Sequence, residues 1–218
     1  MHYIFQAYNY DLSDPGSIPN LFLQHLYLVG ITMFFSLLIA LPLGFIVARY
    51  RRLYLPIITV SGLLYTIPSI AAFMLLLPVT KLNPATAIIP MVLYNQLVLI
   101  RNTAAAVNSI DPLLIEVGRA VGMKPMQILW RVRLPLALPI IIAGVRVATV
   151  TTIGIAGLAA LVGQGGLGTL IFQNIATFDI DAIIAGAILI ALFALIADAL
   201  LLGLQTLLSR GRNAVVGA

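Results

Sequence analysis

The chain has no cysteine among its 218 residues. That removes disulfides, thiolate nucleophiles and zinc-thiolate sites, and leaves the redox compartment unread. Charge is scarce as well: 9% of residues are charged, where a soluble domain carries about a quarter. The seven acidic residues and two histidines form no cluster with metal-ligand spacing. No G-x-x-x-x-G-K-[ST] occurs, so this chain does not hold ATP by a P-loop. No Ser-His-Asp grouping is recognisable, and nothing in the sequence supports an enzyme. Residues 1–20 contain no Lys or Arg, so they lack the basic region of a secretory signal peptide.

What is abundant is apolar surface: 61% of residues are hydrophobic and the mean hydropathy is +1.10. An all-α integral membrane protein is expected. Five apolar runs, at about 21–48, 54–80, 85–108, 135–162 and 181–208, are each long enough to cross about 30 Å of hydrocarbon. They lack the period-2 alternation of barrel strands. Three parts follow: a segment 1–20 before the spans, one transmembrane domain over 21–209, and a tail over 210–218. Tyr3, Tyr8 and Tyr10 suit a headgroup-level position for the first segment, and Asp14-Pro15-Gly16-Ser17 reads as a turn.

The net charge of +5 is a matter of placement and not a nucleic-acid signal. Arg49, Arg51 and Arg52 fall between the first two runs, four basic residues fall in 111–135, and Arg210 and Arg212 fall in the tail. Residues 1–20 and 163–180 hold no Lys or Arg, and only Lys81 lies near the loop at 81. By the positive-inside rule the basic loops are cytoplasmic, which puts the N-terminus outside and the C-terminus inside.

Asp111 to Pro135, DPLLIEVGRAVGMKPMQILWRVRLP, is a polar-edged island between apolar runs. Asp111 followed by Pro112 starts a helix, since the carboxylate accepts from orphan N–H groups and Pro suits the first helical position. Gly122 ends it. Lys124-Pro125 opens a second short helix, although Lys is a poor cap, and Pro135 closes the island. The expectation is two short helices with a sharp bend, forming a knob on the membrane surface. From the residues alone it is equally an ordinary cytoplasmic loop. Glu116 could equally make a local ion pair with Arg119 or Lys124.

The spacing Glu116, Gly122, Val132, Leu134-Pro135 resembles the EAA loop of ABC-importer permeases, with Val117-Gly118 where two alanines are usual and Val132 where Ile is usual. Further along the chain come Tyr65-Thr66-Ile67-Pro68-Ser69, Arg101-Asn102-Thr103, Leu134-Pro135-Leu136-Ala137-Leu138-Pro139 and Gly163-Gln164-Gly165-Gly166-Leu167-Gly168. Over residues 20–209 this set resembles the osmoprotectant branch of type I importers, whose solutes are glycine betaine, carnitine, choline and related quaternary amines. Gln96 and Val98 stand where that branch usually shows Leu and Pro, and Gln164 where Ala is usual. Methionine-type permeases share the five-span plan.

The resemblance implies a set of roles and partners. Glu116, Gly118, Arg119, Ala120, Gly122, Met123 and Lys124 would form the coupling helix that docks on a separate ATPase. That partner would carry the ATP and Mg, with no cofactor on this chain. An extracytoplasmic substrate-binding protein, a second permease subunit (identical or similar) and the lipid bilayer are the other partners, with no nucleic acid. The location implied is the cytoplasmic membrane of a prokaryote. The rival function is a self-sufficient secondary transporter, which would need intramembrane acids.

Other positions have two readings. Tyr65, Thr66, Ser69, Tyr94, Asn95 and Gln96 lie at membrane depth, and the tyrosine faces attract quaternary ammonium. The same groups serve equally to bond neighbouring helices. Arg146 and Asp198 each lie about 16 Å from the inner end of a span, which makes them candidates for one another, with Arg101 as rival. GQGGLG fits the dinucleotide fingerprint but has no strand before it. It reads instead as a tight outer loop, with Gln164, Gly165 and Gly166 meeting the binding protein and Leu170-Ile171-Phe172 in a short interfacial helix. Gly144, Ala148, Thr152, Ala156 and Ala160 recur every fourth residue, a face for close packing within the subunit or between subunits. His25 reads as a packed or interfacial side chain rather than a ligand.

Overall fold

The computed structural model describes residues 2–216, with side chains over 3–209, so Arg210, Arg212 and all of the tail 210–218 lie outside the described side chains. Every regular element among the described residues is helical. After 3₁₀ turns at His2–Phe5 and Ala7–Tyr10 come α1 (Ile18–Arg49), α2 (Arg51–Thr66), α3 (Ser69–Thr80), α4 (Ala85–Asn108), α5 (Pro112–Ala120), α6 (Pro125–Ile128), α7 (Leu134–Gly157), α8 (Gly168–Phe172) and α9 (Ile180–Val216). In the first segment Phe5, Tyr8, Tyr10 and Leu12 are exposed. The Ser13 N–H and hydroxyl both donate to Asp11, which holds its carboxyl below the usual carboxylate range.

Among the described residues three helices are long and apolar enough to cross a membrane: Ile18–Arg49, Pro125–Val162 and Ile180–Ser209. The run 54–80, expected as one span, is two helices that meet at 90°. Pro68 explains the bend. Its ring crowds the preceding residue out of the α region, and Ile67 sits at φ −68°, ψ 126°. The freed Ile67 carbonyl accepts from the Tyr94 hydroxyl at 2.9 Å.

The run 85–108 is helical as expected, but Asn95, Gln96, Arg101 and Asn102 lower its hydropathy and it is not among the three. It is nonetheless the most enclosed element, with 14 of its 24 residues buried, against 11 of 32 in α1. Polar side chains are tolerated in a membrane-depth helix when protein partners surround them. The main core gathers Leu28, Val47, Phe73 and Ile153 with its own Met91 and Leu99.

The island differs from expectation in one respect. α6 is no separate knob helix: it passes through a π-helical turn at Leu129–Arg133 straight into α7, giving one 38-residue run over Pro125–Val162. The Pro135 ring would strike the carbonyl four residues back, and the wider π turn opens the ladder there. Pro135 therefore does not close the island; it is absorbed into the rod.

Gly144, Ala148, Thr152 and Ala156 are buried, and a Cβ at Gly144 would lie 2.5 Å from Asn102 Cβ. The small-residue row thus packs against α4 within the subunit.

Candidate coupling surface and transmembrane site

In the island, Asp111 Oδ1 accepts the Leu113 N–H at 2.9 Å, as the cap reading requires. Gly122 adopts φ +80°, and the Met123 N–H donates back to Gly118 O at 3.0 Å. Lys124 is indeed no cap by its own side chain. Gln127 Oε1 instead accepts the Lys124 N–H at 2.8 Å and secures the start of α6. Gly118 is buried where Ile128 and the Met123 sulfur close on it. Gly118 and Met123 therefore shape the turn from inside, while Glu116, Arg119, Ala120, Gly122 and Lys124 are exposed. Glu116 makes no ion pair with Arg119 or Lys124 among the described residues, which removes its local salt-bridge reading. Beside these polar groups α5 presents Leu113, Leu114 and Val117 outward, with Val121, Met126 and Trp130 exposed nearby. The result is an amphipathic knob with an uncovered apolar side.

The residues expected to line a pathway divide into two groups. Tyr65 and Tyr94 meet edge to face, centroids 6.0 Å apart, beside the Ile67 carbonyl. Thr66 donates to Leu63 O at 2.7 Å, and Ser69 opens α3 across the same bend. Asn95 turns the other way. Its Nδ2 donates to Ser36 Oγ at 3.1 Å and Thr152 Oγ1 at 2.9 Å, with Met33 Sδ at 3.6 Å. It is a bolt joining α1, α4 and α7, so its helix-bonding reading holds. Gln96 donates to Val92 O at 2.9 Å. Ser36 and Met33 had no signal in the sequence beyond lying in an apolar run.

Arg146 and Asp198 do pair. Nε donates to Oδ1 at 2.8 Å and the terminal Nη2 donates to Oδ2 at 2.9 Å, a bidentate clamp between α7 and α9. Arg146 Nη1 also donates to Gln205 Oε1 at 3.0 Å, a third member that sequence reasoning missed two turns past Asp198. Arg101 is exposed with no bonded partner among the described residues, so it is not the rival.

The glycine-rich loop at 163–167 is turned inward. Gly163, Gly165 and Gly166 all have positive φ. Gln24 Oε1 accepts the Gly166 N–H at 3.0 Å, and His25 Nδ1 accepts the Leu167 N–H at 3.2 Å. Because Nδ1 accepts, the proton lies on Nε2, which donates to Ile153 O at 3.0 Å. His25 is fully buried and edge-on to Phe193. Gly166 is buried and Gln164 and Gly165 are half-buried, which leaves little of the motif for a docking partner. α8 packs one face inward, where Gly168 and Leu170 are buried and a Cβ at Gly168 would collide with the Gly157 carbonyl, and leaves Thr169, Ile171 and Phe172 half-exposed.

The chain matches the family described as "Binding-protein-dependent transport system inner membrane component" over residues 40–213. It belongs to that family. Among the inner membrane components it resembles is the osmoprotectant import permease protein OsmW of Salmonella typhimurium, 40% identical over 206 residues, 92% of this chain and 96% of that one. Another is the glycine betaine/carnitine/choline transport system permease protein OpuCD of Bacillus subtilis, 38% identical over 210 residues, 96% of this chain and 92% of that one. Among solved structures, the inward-facing MetNI methionine ABC transporter superposes with a TM-score of 0.76 at 24% identity, covering 85% of this chain and 93% of that one. That likeness carries the type I importer permease fold.

Proposed function

We propose that this chain is the permease subunit of an ATP-driven importer that carries osmoprotectant quaternary amines across the cytoplasmic membrane of a prokaryote. The observation that carries this reading is the 40% and 38% identity, over more than nine-tenths of each chain, to relatives named for osmoprotectants and for glycine betaine, carnitine and choline. In this reading the bent pair α2–α3 counts as one crossing and α4 as another, which makes five. The N-terminus is outside and the C-terminus inside. α5 with the exposed Glu116 and Arg119 docks on a separate ATPase, which binds the ATP and Mg. A binding protein delivers solute from outside, and a second permease subunit completes the pathway. Tyr65 and Tyr94 offer ring faces to a cationic solute.

A proton-coupled carrier fits less well. Asp198 is the acid deep in a described span, and both its oxygens are occupied by Arg146.

The test is reconstitution in vesicles with the ATPase and the binding protein. Uptake of glycine betaine or choline should require internal ATP and should raise ATP hydrolysis. Uptake driven by a proton gradient without ATP would overturn the reading.

A further inference from the structure

Gln96 has one end unanswered. Its amide faces two carbonyl oxygens, Val92 O at 2.9 Å and Ser36 O at 3.5 Å, so that end is the nitrogen. The other end, Oε1, is buried with no donor, on a residue only 7% exposed. Folded proteins rarely keep such an acceptor without a use for it.

Gln96 stands in the wall of a cleft of about 320 Å³ between α1, α2 and α4. Leu43, Ile57, Val60 and Ile100 make the wall apolar, and Ser61 is the other polar residue in it. The Ser61 hydroxyl makes no hydrogen bond among the described residues. No charged side chain lines the cleft. Ser61 is also the one buried residue in the 16 of α2, so α2 is lightly held.

We propose that this cleft receives a quaternary ammonium compound bearing a hydroxyl group, with α2 moving outward to admit it. The ligand hydroxyl donates to Gln96 Oε1 and accepts from Ser61 Oγ, while the methylated head lies on the apolar wall. This rests on the importer reading and narrows its solute class. Three considerations select the ligand. With no cation in the wall, nothing repels the ammonium. The cleft volume lies at the small end of the roughly 300–1,000 Å³ of small-molecule sites. Gln96 Oε1 can only accept, so it discriminates by what the ligand donates: choline has a hydroxyl proton to give, whereas glycine betaine presents only a carboxylate and leaves Oε1 unanswered. Tyr65, one turn beyond Ser61 on α2, places the aromatic pair next along the same seam.

The experiment is equilibrium binding to the assembled importer in lipid nanodiscs without binding protein, using choline, glycine betaine and tetramethylammonium, which lacks the hydroxyl. Choline should bind about fivefold more tightly than tetramethylammonium, the effect of one neutral hydrogen bond. Gln96→Leu and Gln96→Met should narrow that gap by weakening choline alone, and either one combined with Ser61→Ala should erase it. Ser61→Ala, on the lightly held helix, should narrow it and keeps the test open if the Gln96 variants fail to assemble. An equal affinity in the wild type, a gap that survives the substitutions, or no saturable choline binding overturns the site. Uptake by the wild-type importer is scored separately. ATP-dependent uptake with no choline preference in the nanodisc retires the cleft alone, and absence of any ATP-dependent uptake retires the importer reading.

Discussion

Arg146 and Asp198, 52 residues apart in the chain, are joined by two hydrogen bonds of 2.8 and 2.9 Å that lock α7 to α9. Each is partly exposed, with 23% and 36% of its side-chain surface open. A paired fork of this kind costs most when one member is removed, because the survivor is left as an uncompensated charge in an apolar setting. Asp198→Asn should lower the thermal unfolding temperature of the purified subunit. The double variant Arg146→Gln/Asp198→Asn should recover part of that loss. An Asp198→Asn protein as stable as the wild type would remove the clamp.

Gly122 should separate coupling from folding. Its φ of +80° is strained for any residue with a β-carbon, yet a Cβ there would meet nothing within 4 Å. The cost of a substitution is therefore local backbone strain, on the order of 1–2 kcal/mol and more for a β-branched residue. Gly122→Val should uncouple ATP hydrolysis from uptake while leaving the melting temperature of the spans nearly unchanged. Gly122→Asn, which tolerates the left-handed region, should be milder. Normal uptake by the Val variant would end the coupling role of this turn.

His25 should hold the outer loop in place. Truncation to Ala leaves the buried Leu167 N–H without its partner, at a cost of about 1–3 kcal/mol, and removes the second bond on the Ile153 carbonyl, which keeps its place in the α7 ladder. Limited proteolysis from the outer side should then cut within 163–167 faster than in the wild type. His25→Gln, which still donates and accepts, should restore part of the protection.

Two glycine substitutions should differ sharply. Gly168→Ala drives a methyl into the Gly157 carbonyl, backbone that has no room to give, and should abolish assembly of the folded subunit. Gly203→Ala, with nothing within 4 Å, should be neutral or stabilising by up to about 1 kcal/mol from helix propensity. Size-exclusion profiles and yields of the two variants check the contrast.

The parts legible in the sequence were those written in local chemistry. Asp111-Pro112 and Gly122 announce the ends of α5 because caps and left-handed turns need those residue types. The Arg146–Asp198 pair was readable because membrane depth leaves a charge few places to go. Long-range geometry was not readable. Nothing near Pro68 distinguishes a kink from a 90° turn, since the angle depends on Tyr94 capturing a carbonyl 27 residues away. The fate of Pro135 depended on whether the helix would widen, which is decided by packing. His25 and Asn95 were visible as polar residues in apolar runs, but their partners, Leu167 in a distant loop and Ser36 on another helix among them, came from far along the chain.

The unbroken run from Pro125 to Val162 makes the α5 island and the 163–167 loop parts of one rigid body. At 1.5 Å per residue its 38 residues form a strut about 57 Å long. Its foot stands against α5 through Ile128 and Gly118, and its upper half hands the Ile153 carbonyl to His25 beneath the outer loop. Tilting the foot by about 10° swings the far end by about 10 Å, unless the turn at Leu129–Arg133 yields first. The stiffness of five residues thus sets how much of a nudge at one face is felt at the other.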